Sequence, residues 1–353
     1  MGSYAKKLAA AALAAVLAVG MCPAVSLAEE GVDQMQPQDA SSPMVKRLGG
    51  ADRYKTMALV SQEAFPVDGS CSTVIIARGD NFPDALAAAG LAGVTDGQVL
   101  LTDTGYLMDE TRVEIERLGA TKAYVIGDEN SITTRTFNEI RSIAGSAERI
   151  GGESRLDTAF KIYQAGGSGW GPTAIVATGK KAADSLSVSP IAYALKAPIF
   201  LADDSGALSD ATLNAISQGG FTNAIVLGDQ YSVSDATFDA VKAATGSAER
   251  IGGTDRYATS QRTAEWALGN NFTCDASSLT AGRDGKYADA LVASSLGGKA
   301  TSLLLLVDDG EAGSVCVTNV LAPNKAQVQT AYLLGDEYTV SDAMSAAIEG
   351  ALA

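Results

Sequence analysis

Hydrophobic positions along the chain fall into short continuous runs, separated by longer segments with helical spacing. Between residues 50 and 145, the runs Thr73–Ala77, Val99–Leu101 and Ala123–Ile126 have the length and apolar content of buried strands. The intervening segments predict helices over Tyr54–Phe65, Pro83–Ala92, Met108–Leu118 and Thr134–Ala144. Apolar strands that alternate with helices favour a parallel sheet covered on both faces.

This pattern occurs three times. The segment Arg47–Tyr54 has counterparts that begin at Arg149 and Arg250, at offsets of 102 and 101 residues. Three further markers follow it in each copy: an Asp-Ala-Leu or Asp-Ser-Leu segment, an apolar triplet, and a Gly-Asp pair that closes an apolar run. They begin at Asp84, Asp184 and Asp289, at Val99, Ile199 and Leu304, and at Gly127, Gly228 and Gly335. Shared order and spacing identify tandem repeats, which predict three small three-layer α/β units with mainly parallel sheets.

The segments before the repeats indicate export. In residues 1–28, Lys6 and Lys7 precede a short apolar stretch, and Ser26-Leu27-Ala28 resembles a signal-peptidase site. The apolar stretch is too short for a lasting membrane span. Residues 29–45 are rich in Gln, Asp, Ser and Pro and predict a flexible leader. The repeats are expected over residues 46–147, 148–248 and 249–353, with the helix Ser341–Leu352 completing the third copy and nothing appended.

Charge and composition restrict the classes of function that this chain can have. Removing residues 1–28 takes away Lys6 and Lys7 and leaves 24 basic against 41 acidic side chains, a formal charge of −17. Such a chain repels nucleic acid and anionic membranes overall, although local arginines can still hold an anion. The sequence contains no histidine, the usual ligand or base of zinc, Ser-His-Asp and Cys-His sites. No cofactor or metal is expected, and the glycine motifs of nucleotide sites are missing.

Paired arginines at the head of each repeat are the candidate ligand-binding residues. A guanidinium is always charged, and its planar donors match phosphate or carboxylate groups. Threefold repetition presents several such groups to a repeating polymer, where modest contacts multiply. The alternative is internal pairing, for example with Asp84, Asp184 or Asp289 across a unit interface. The six arginines are Arg47, Arg53, Arg149, Arg155, Arg250 and Arg256.

Other repeated positions are expected to be structural. The double glycines are interpreted as turn residues that allow positive φ and close backbone approach, with a phosphate cradle as the alternative. The carboxylates of the Asp-Ala-Leu markers lie near a predicted helix start, where they favour the helix dipole; catalysis or metal binding is the alternative. Asp128, Asp229 and Asp336 are expected to order strand-to-helix turns. The glycines are Gly49, Gly50, Gly151, Gly152, Gly252 and Gly253.

Cysteines and one tryptophan leave open questions. Cys71, Cys274 and Cys316 follow the predicted signal peptide, and an extracellular setting permits disulfides. Cys274 and Cys316 lie within one repeat and form a candidate pair, but the sequence does not settle the pairing. Trp170, in a glycine-rich loop of the second repeat, is interpreted as a packed loop anchor, with a ligand platform as the alternative.

These motifs resemble the cell wall binding repeat 2 family. Its members carry R-[IL]-G-G-x-[DS]-R at the head of the repeat, then D-A-L, P-[IV]-L-L and V-[IL]-G-[DG] segments, and the resemblance covers residues 46–353. It implies a pseudo-threefold assembly that attaches non-covalently to an anionic polymer of a Gram-positive cell wall. The proline before the triplet occurs only as Pro198, and Ser154 stands where the other repeats have Asp. These departures imply either a weaker affinity for the polymer or unequal sharing of polymer binding among the three units.

The leading hypothesis is therefore a secreted cell-wall-binding surface protein that attaches to a wall polysaccharide. The alternative is a surface-layer, structural or host-interaction protein that acts through self-association or host contacts. A murein amidase is less favoured, although such repeats often accompany one, because zinc amidase sites need histidine ligands. The sequence leaves the polymer, the affinity and the oligomeric state open.

Overall fold

A computed structural model describes residues 43–80, 87–180, 182–283 and 287–353. The predicted signal peptide, the leader up to residue 42 and Asp84 lie outside these residues. Within the described residues, helices and strands alternate in the order that the sequence predicts. None of the helices in this part of the chain has both the length and the apolar character needed to cross a membrane.

The first sheet contains four parallel strands in the order β3-β2-β4-β5. Its strands are β2 (Thr73–Arg78), β3 (Gln98–Thr102), β4 (Lys122–Ile126) and β5 (Ala147–Ile150). The helices of this unit are α1 (Arg53–Ala64), α2 (Ala88–Thr95), α3 (Asp109–Leu118) and α4 (Thr134–Ala144). The fourth strand, β5, crosses the repeat boundary expected at residue 147 and contains the head arginine of the second repeat.

The second sheet repeats this arrangement in the order β7-β6-β8-β9. Its strands are β6 (Thr173–Thr178), β7 (Ile199–Ala202), β8 (Asn223–Leu227) and β9 (Ala248–Ile251). The helices are α5 (Arg155–Gly166), α6 (Ala182–Ser187), α7 (Ser189–Ala194), α8 (Asp210–Gln218) and α9 (Asp235–Thr245). Strand β9 again belongs to the head of the following repeat.

The third sheet is completed from the start of the described chain. Its order is β1-β12-β10-β11, with β1 (Met44–Leu48), β10 (Ser278–Ala281), β11 (Leu304–Val307) and β12 (Thr330–Leu334). The helices are α10 (Arg256–Gly269), α11 (Ala288–Val292), α12 (Ser294–Lys299), α13 (Glu311–Cys316) and α14 (Asp342–Leu352). Strand β1 pairs with β12 in parallel, from Met44 beside Thr330 to Leu48 beside Leu334. The first repeat therefore supplies the edge strand of the last sheet, and the three units close into a ring.

The apolar triplets form the centre of each sheet, as predicted. Leu100, Phe200 and Leu305 are all 1% exposed or less. Helices lie on both faces of the sheets, so every position along these strands is apolar rather than every second one. The continuous runs in the sequence reflect this two-sided burial.

The three units meet where α2, α7 and α12 pack against one another. The packing is close: a Cβ added at Gly93 would lie 2.1 Å from the carbonyl oxygen of Tyr193. A side chain at this position would push two helices apart. Small residues therefore hold the pseudo-threefold assembly together at its centre.

The Ala/Leu segment of each repeat differs from its prediction. It was expected to form a single helix, but it divides into α6 and α7 in the second unit and into α11 and α12 in the third. Pro190 lies in the first turn of α7. Proline has no amide hydrogen and cannot continue the bonding of a preceding helix, so the segment starts a new helix there. In the first unit the described helix is α2, and residues 83–86 lie outside the described part of the chain.

Candidate functional site

The first arginine of each head motif bonds to the backbone of the preceding unit. Nη1 of Arg149 donates to the carbonyl oxygens of Gly127 at 3.1 Å and of Asp128 at 2.8 Å. Nη1 of Arg250 donates to Gly228 at 3.3 Å and Val233 at 2.8 Å. These carbonyls lie where strands β4 and β8 end and turn toward a helix. The arginines thus satisfy acceptors at the ends of the preceding sheet.

Aromatic rings and carboxylates complete the surroundings of these arginines. The Arg149 guanidinium lies 4.9 Å from the ring centroid of Phe137, and the Arg250 guanidinium lies 4.9 Å from that of Phe238. Arg250 also pairs with Asp235 at 3.1 Å, but that carboxylate is 70% exposed. Solvent screening keeps such an ion pair weak. Hydrogen bonds to carbonyls and ring stacking are therefore the main contacts.

The second arginine of each motif bonds to its own unit. Arg53, Arg155 and Arg256 start helices α1, α5 and α10. Arg155 donates to the carbonyl oxygen of Gly179 at 2.7 Å, and Arg256 donates to that of Gly282 at 2.7 Å. Arg53 donates to the Gly79 carbonyl oxygen in the same way. The two arginines of a pair therefore contact different sheets, and each head motif joins two consecutive units.

The double glycines allow close packing, as predicted, but they do not adopt positive φ. A Cβ added at Gly151 would lie 2.6 Å from the Gly127 carbonyl carbon, and one added at Gly252 would lie 2.7 Å from that of Gly228. The positive φ belongs to the partner glycines, with 98° at Gly127 and 90° at Gly228. The prediction of positive φ was wrong for a simple reason. The head segment crosses closely over the turn that follows the preceding strand, and only the turn, at Gly127 or Gly228, needs the positive φ.

The second glycine of each pair uses its amide internally. The Gly50 nitrogen donates to the Thr56 hydroxyl at 3.1 Å. The Gly152 nitrogen donates to Thr158 Oγ1 at 3.0 Å, and the Gly253 nitrogen to Thr259 Oγ1 at 3.0 Å. A phosphate cradle needs free amide donors, so this geometry favours the structural interpretation. Gly49 packs in the same way as Gly151, with a Cβ added there 2.4 Å from the Gly335 carbonyl oxygen.

The repeated aspartates act mainly at turns and helix starts. Asp289 lies in the first turn of α11 and is 7% exposed, as expected for a carboxylate that favours the helix dipole. Asp184 lies within α6. Asp229 Oδ1 accepts the backbone amides of Tyr231 at 3.1 Å and Ser232 at 3.0 Å. The predicted ordering of the turn after the third strand is therefore confirmed in this unit.

An open cleft lies at the carboxyl edge of the second sheet. Its volume is about 740 Å³, and Ser154, Arg155, Leu156, Lys180 and Asp203 lie among its lining residues. Arg155 and Lys180 are both exposed. Neither forms an ion pair with the described residues. The cleft therefore offers two cations that have no ion-pair partner among the described residues, although Asp203 and Asp204 also lie in its lining.

The first unit has different chemistry at the equivalent edge. Asp80 takes the place of Lys180, and Nε and Nη2 of Arg78 each donate to this carboxylate at 2.8 Å. These bonds hold the pKa of Asp80 below its usual range. Tyr54 takes the place of Leu156, and burial together with the nearby Asp103 raises its pKa to about 12. This edge is acidic and its arginine is already paired.

In the third unit the edge is filled by internal bonds. Arg283 takes the place of Lys180, and Nη2 donates to the Thr339 carbonyl oxygen at 3.0 Å. Its Nη1 lies 3.4 Å from Asp308. The Tyr257 hydroxyl also donates to Asp308, at 2.9 Å. Tyrosine in place of leucine therefore brings the acid and the arginine of the third unit together, and these internal bonds occupy its edge.

Lys180 was not among the predicted site residues. It occupies a position at which the three repeats differ in charge, with Asp80 and Arg283 as its counterparts. A comparison that looks only for residues shared by all repeats does not identify such a position. A search for positions whose charge changes sign between repeats would have found it.

The cysteines are buried, and none of them is among the residues that line the cleft. Cys71, Cys274 and Cys316 are buried free thiols, so the candidate disulfide between Cys274 and Cys316 does not form. Burial raises the pKa of Cys274 to about 11 and that of Cys316 to about 12, which suits inert core residues. Among the described residues, no cluster of three or more His, Cys, Asp or Glu could hold a metal ion.

Trp170 is a packed anchor, as interpreted from the sequence. Its indole Nε1 donates to the Tyr163 carbonyl oxygen at 2.8 Å. The indole stacks on the Tyr163 ring with centroids 6.1 Å apart. The ring therefore stabilises the loop of the second unit and does not present an open face.

Known proteins with similar sequences include two from Bacillus subtilis (strain 168). N-acetylmuramoyl-L-alanine amidase LytC is 26% identical over 264 residues, which cover 75% of this chain and 50% of LytC. The Amidase enhancer is 30% identical over 289 residues, which cover 82% of this chain and 38% of that protein. This chain therefore spans half or less of the length of these relatives.

Solved structures show the same fold. Cwp6 from Clostridium difficile superposes with a TM-score of 0.77 at 23% identity, over 92% of this chain and 50% of Cwp6. Cwp8 from the same organism gives a TM-score of 0.75 at 23% identity, over 87% of this chain and 51% of Cwp8.

The family model described as Cell wall binding domain 2 (CWB2) matches residues 47–137, 149–238 and 250–345. Each match begins at the first head arginine of a repeat and covers most of that repeat. Together the matches cover most of the sequence. The chain belongs to the Cell wall binding domain 2 family and carries three tandem copies of that domain.

Proposed function

We propose that this chain binds the cell wall non-covalently through an anionic wall polymer, and that the cleft of the second unit is the principal contact. The observation that carries the proposal is the pair of exposed cations, Arg155 and Lys180, in a cleft of about 740 Å³. Planar guanidinium and mobile ammonium donors both suit phosphate or carboxylate groups. The chain as a whole is acidic, so an anion is attracted to cations that have no ion-pair partner and is repelled by most of the surface.

The other predicted arginines have a supporting role in this proposal. Arg47, Arg149 and Arg250 hold successive units together through backbone carbonyls. They position the clefts at the carboxyl edges of the sheets. Arg53 and Arg256 offer weaker contacts, because the edges around them hold paired acids. Polymer binding is therefore shared unequally among the three units.

The proposed role is binding and not catalysis. The match to LytC covers half of that relative, so the activity in its name does not transfer with the similarity. The sequence contains no histidine, which zinc amidase sites use as a ligand. Binding alone accounts for an open cationic cleft.

The proposal includes export of the chain to the cell surface. The signal peptide predicted over residues 1–28 would be removed before the protein reaches the wall. Amino-terminal sequencing of the protein recovered from the wall fraction should give Glu29 as the first residue. A first residue within the apolar stretch, or an intact Met1, would contradict this part of the proposal.

Wall retention tests the proposed function. The purified protein is incubated with isolated walls of the bacterium that encodes it, either intact or stripped of their secondary polymers by acid. We expect retention on intact walls, loss of retention on stripped walls, and release as ionic strength rises, because charged surface contacts are screened by salt. Equal retention on both preparations would contradict a polymer partner.

A further inference from the structure

An unusually exposed tyrosine lies at the same carboxyl edge as the cleft. Tyr231 is 82% exposed, whereas the tyrosines of the sheets, such as Tyr124 and Tyr332, are 6% and 9% exposed. It lies in the loop after β8, and its counterparts in the other repeats are Asn130 and Tyr338. Exposed aromatic rings with a polar tip are typical of binding surfaces.

The loop that carries Tyr231 is ordered. Asp229 accepts amide hydrogens from Tyr231 and Ser232, and its carbonyl oxygen accepts from Val233 at 3.0 Å. A ring held on a fixed loop loses little conformational freedom when it binds a ligand. The exposure of Tyr231 is thus a stable feature of the fold.

A groove of about 330 Å³ lies beside this ring. Tyr231, Asp229, Asp235, Arg250 and Arg262 lie among its lining residues. Arg262 is exposed and donates from Nη1 to the Gly252 carbonyl oxygen. The groove therefore combines an aromatic face with hydrogen-bond donors and acceptors.

The groove differs from the cleft because one of its cations is already held in an ion pair. Two carboxylates, Asp229 and Asp235, face two guanidiniums, and Arg250 is already paired with Asp235 at 3.1 Å. A phosphate or carboxylate gains little in such surroundings. A neutral pyranose ring fits better, because one face carries C–H groups that stack on an aromatic ring and the edge carries hydroxyls that donate and accept hydrogen bonds.

The equivalent positions in the other units lack this combination. The residue equivalent to Arg262 is Lys161 where the first unit meets the second, and the tyrosine is Asn130 there. Where the third unit meets the first, Tyr338 is present but Leu59 replaces the arginine. Only the groove after β8 has both an exposed ring and a guanidinium among these three positions.

The groove and the cleft lie beside different strands at the carboxyl edge of the second sheet. The strand order is β7-β6-β8-β9, with the cleft after β6 and β7 and the groove after β8 and β9. Adjacent strands are roughly 4.8 Å apart, so the midpoints of these two strand pairs are separated by about 10 Å. One extended saccharide chain of a few units spans that distance.

We infer that the groove between Tyr231 and Arg262 binds a neutral sugar ring of the wall polymer, next to the anionic group held by Arg155 and Lys180. This inference rests on the proposed function. It makes the carboxyl edge of the second sheet a two-part site, in which charge attracts the polymer and the tyrosine ring recognises its sugar. The two contacts differ in salt dependence, because only the charged one is screened.

The test measures retention of Tyr231→Ala on intact isolated walls over a range of salt concentrations. We expect affinity to fall about tenfold at every salt concentration, a typical effect of losing one stacking contact, with the salt dependence unchanged. Tyr231→Trp should bind as well as the wild type, because it keeps a stacking face. Tyr338→Ala is the matched control and should bind within about twofold of the wild type.

The outcomes separate this inference from the proposed function. A wild-type chain that binds intact and stripped walls equally overturns both. Normal wild-type binding with unaffected Tyr231→Ala, or with equal losses in Tyr231→Ala and Tyr338→Ala, overturns the sugar groove alone. Tyr231 is exposed, so an unchanged thermal unfolding midpoint is expected to accompany the loss of binding.

Discussion

Nη1 of Arg47 donates to the carbonyl oxygen of Gly335 at 3.1 Å, although 288 residues separate them along the chain. The same nitrogen donates to the Val340 carbonyl oxygen at 2.9 Å. These bonds fasten strand β1 and the head of the first repeat to the last sheet. The ring of three units is therefore closed by the same contact that joins consecutive repeats elsewhere.

Replacing Arg47 with alanine should destabilise the protein through loss of this closure. Two hydrogen bonds from a charged donor are lost, and two partly buried carbonyls lose their partner. We expect the free energy of unfolding to fall by about 1–3 kcal/mol, measured by urea denaturation. Lys55→Ala, an exposed site on α1, is the control and should change little. An unaltered midpoint for Arg47→Ala would show that closure does not depend on this arginine.

Gly151 is predicted to tolerate no side chain. The added Cβ of Gly151→Ala would lie 2.6 Å from the backbone of Gly127, so two chain segments must move apart. Overpacking of this kind costs about 1–3 kcal/mol, and thermal unfolding should detect it.

Gly350→Ala is the matched control for this substitution. Gly350 lies within α14, and nothing lies within 4 Å of its added Cβ. Alanine there should stabilise the protein by about 0.5–1 kcal/mol. Equal effects of the two substitutions would contradict the proposed backbone contact at Gly151.

The buried cysteines should react with thiol reagents only after unfolding. The thiolate is the reactive form, and burial raises the pKa of Cys274 to about 11 and of Cys316 to about 12. At pH 8 we expect slow labelling of the folded protein and fast labelling in urea at Cys71, Cys274 and Cys316, mapped by mass spectrometry. Recovery of a peptide that links Cys274 to Cys316 would contradict the free thiols of the structure.

Asp203 should make stability depend on pH in the acid range. The Ser205 hydroxyl donates to its carboxylate at 2.7 Å and the Ala207 amide at 2.9 Å, and these bonds hold the pKa of Asp203 below its usual value. Its contribution to stability is therefore present above the unfolded pKa of about 3.9. It is lost as pH falls through the lower folded value.

Asp203→Asn tests this assignment. At pH 7 the free energy of unfolding of the variant should be lower than that of the wild type. Between pH 7 and pH 3 it should fall by less than that of the wild type, as measured by urea denaturation. Asp239→Asn, an exposed site on α9, serves as the control. If the stability of Asp203→Asn depended on pH as the wild-type stability does, the hydrogen bonds to Asp203 would contribute nothing to stability.

The sequence predicted the repeats and the sheets because both depend on shared positions. Triplets such as Leu304–Leu306 are continuously apolar because helices cover both faces of the sheet, and that burial is visible in any one repeat. The neighbour of an edge strand is not visible in this way. Nothing in the residues around Arg47 indicates that β1 pairs with β12, because a strand pattern records burial and not partner identity.

The candidate site was harder to predict because it depends on differences among repeats. Arg155 was predicted because it belongs to a repeated motif. Whether the cleft around its guanidinium is open depends on Leu156 and Lys180, which differ from their counterparts in the other units. Tyr257 and Arg283 fill the third edge through Asp308. Contacts of this kind join residues from three different strand ends, and they become visible only in the folded structure.

Wall retention of Lys180→Glu tests the central claim most directly. The Lys180 side chain is exposed, and no ion pair with the described residues is lost when it is replaced, so the fold should be unaffected. Lys242→Glu, an exposed site on α9, makes the same change in net charge away from the cleft. We expect at least a severalfold loss of binding to intact walls for Lys180→Glu and near wild-type binding for Lys242→Glu. Equal retention of the two variants would contradict a polymer site in the second unit.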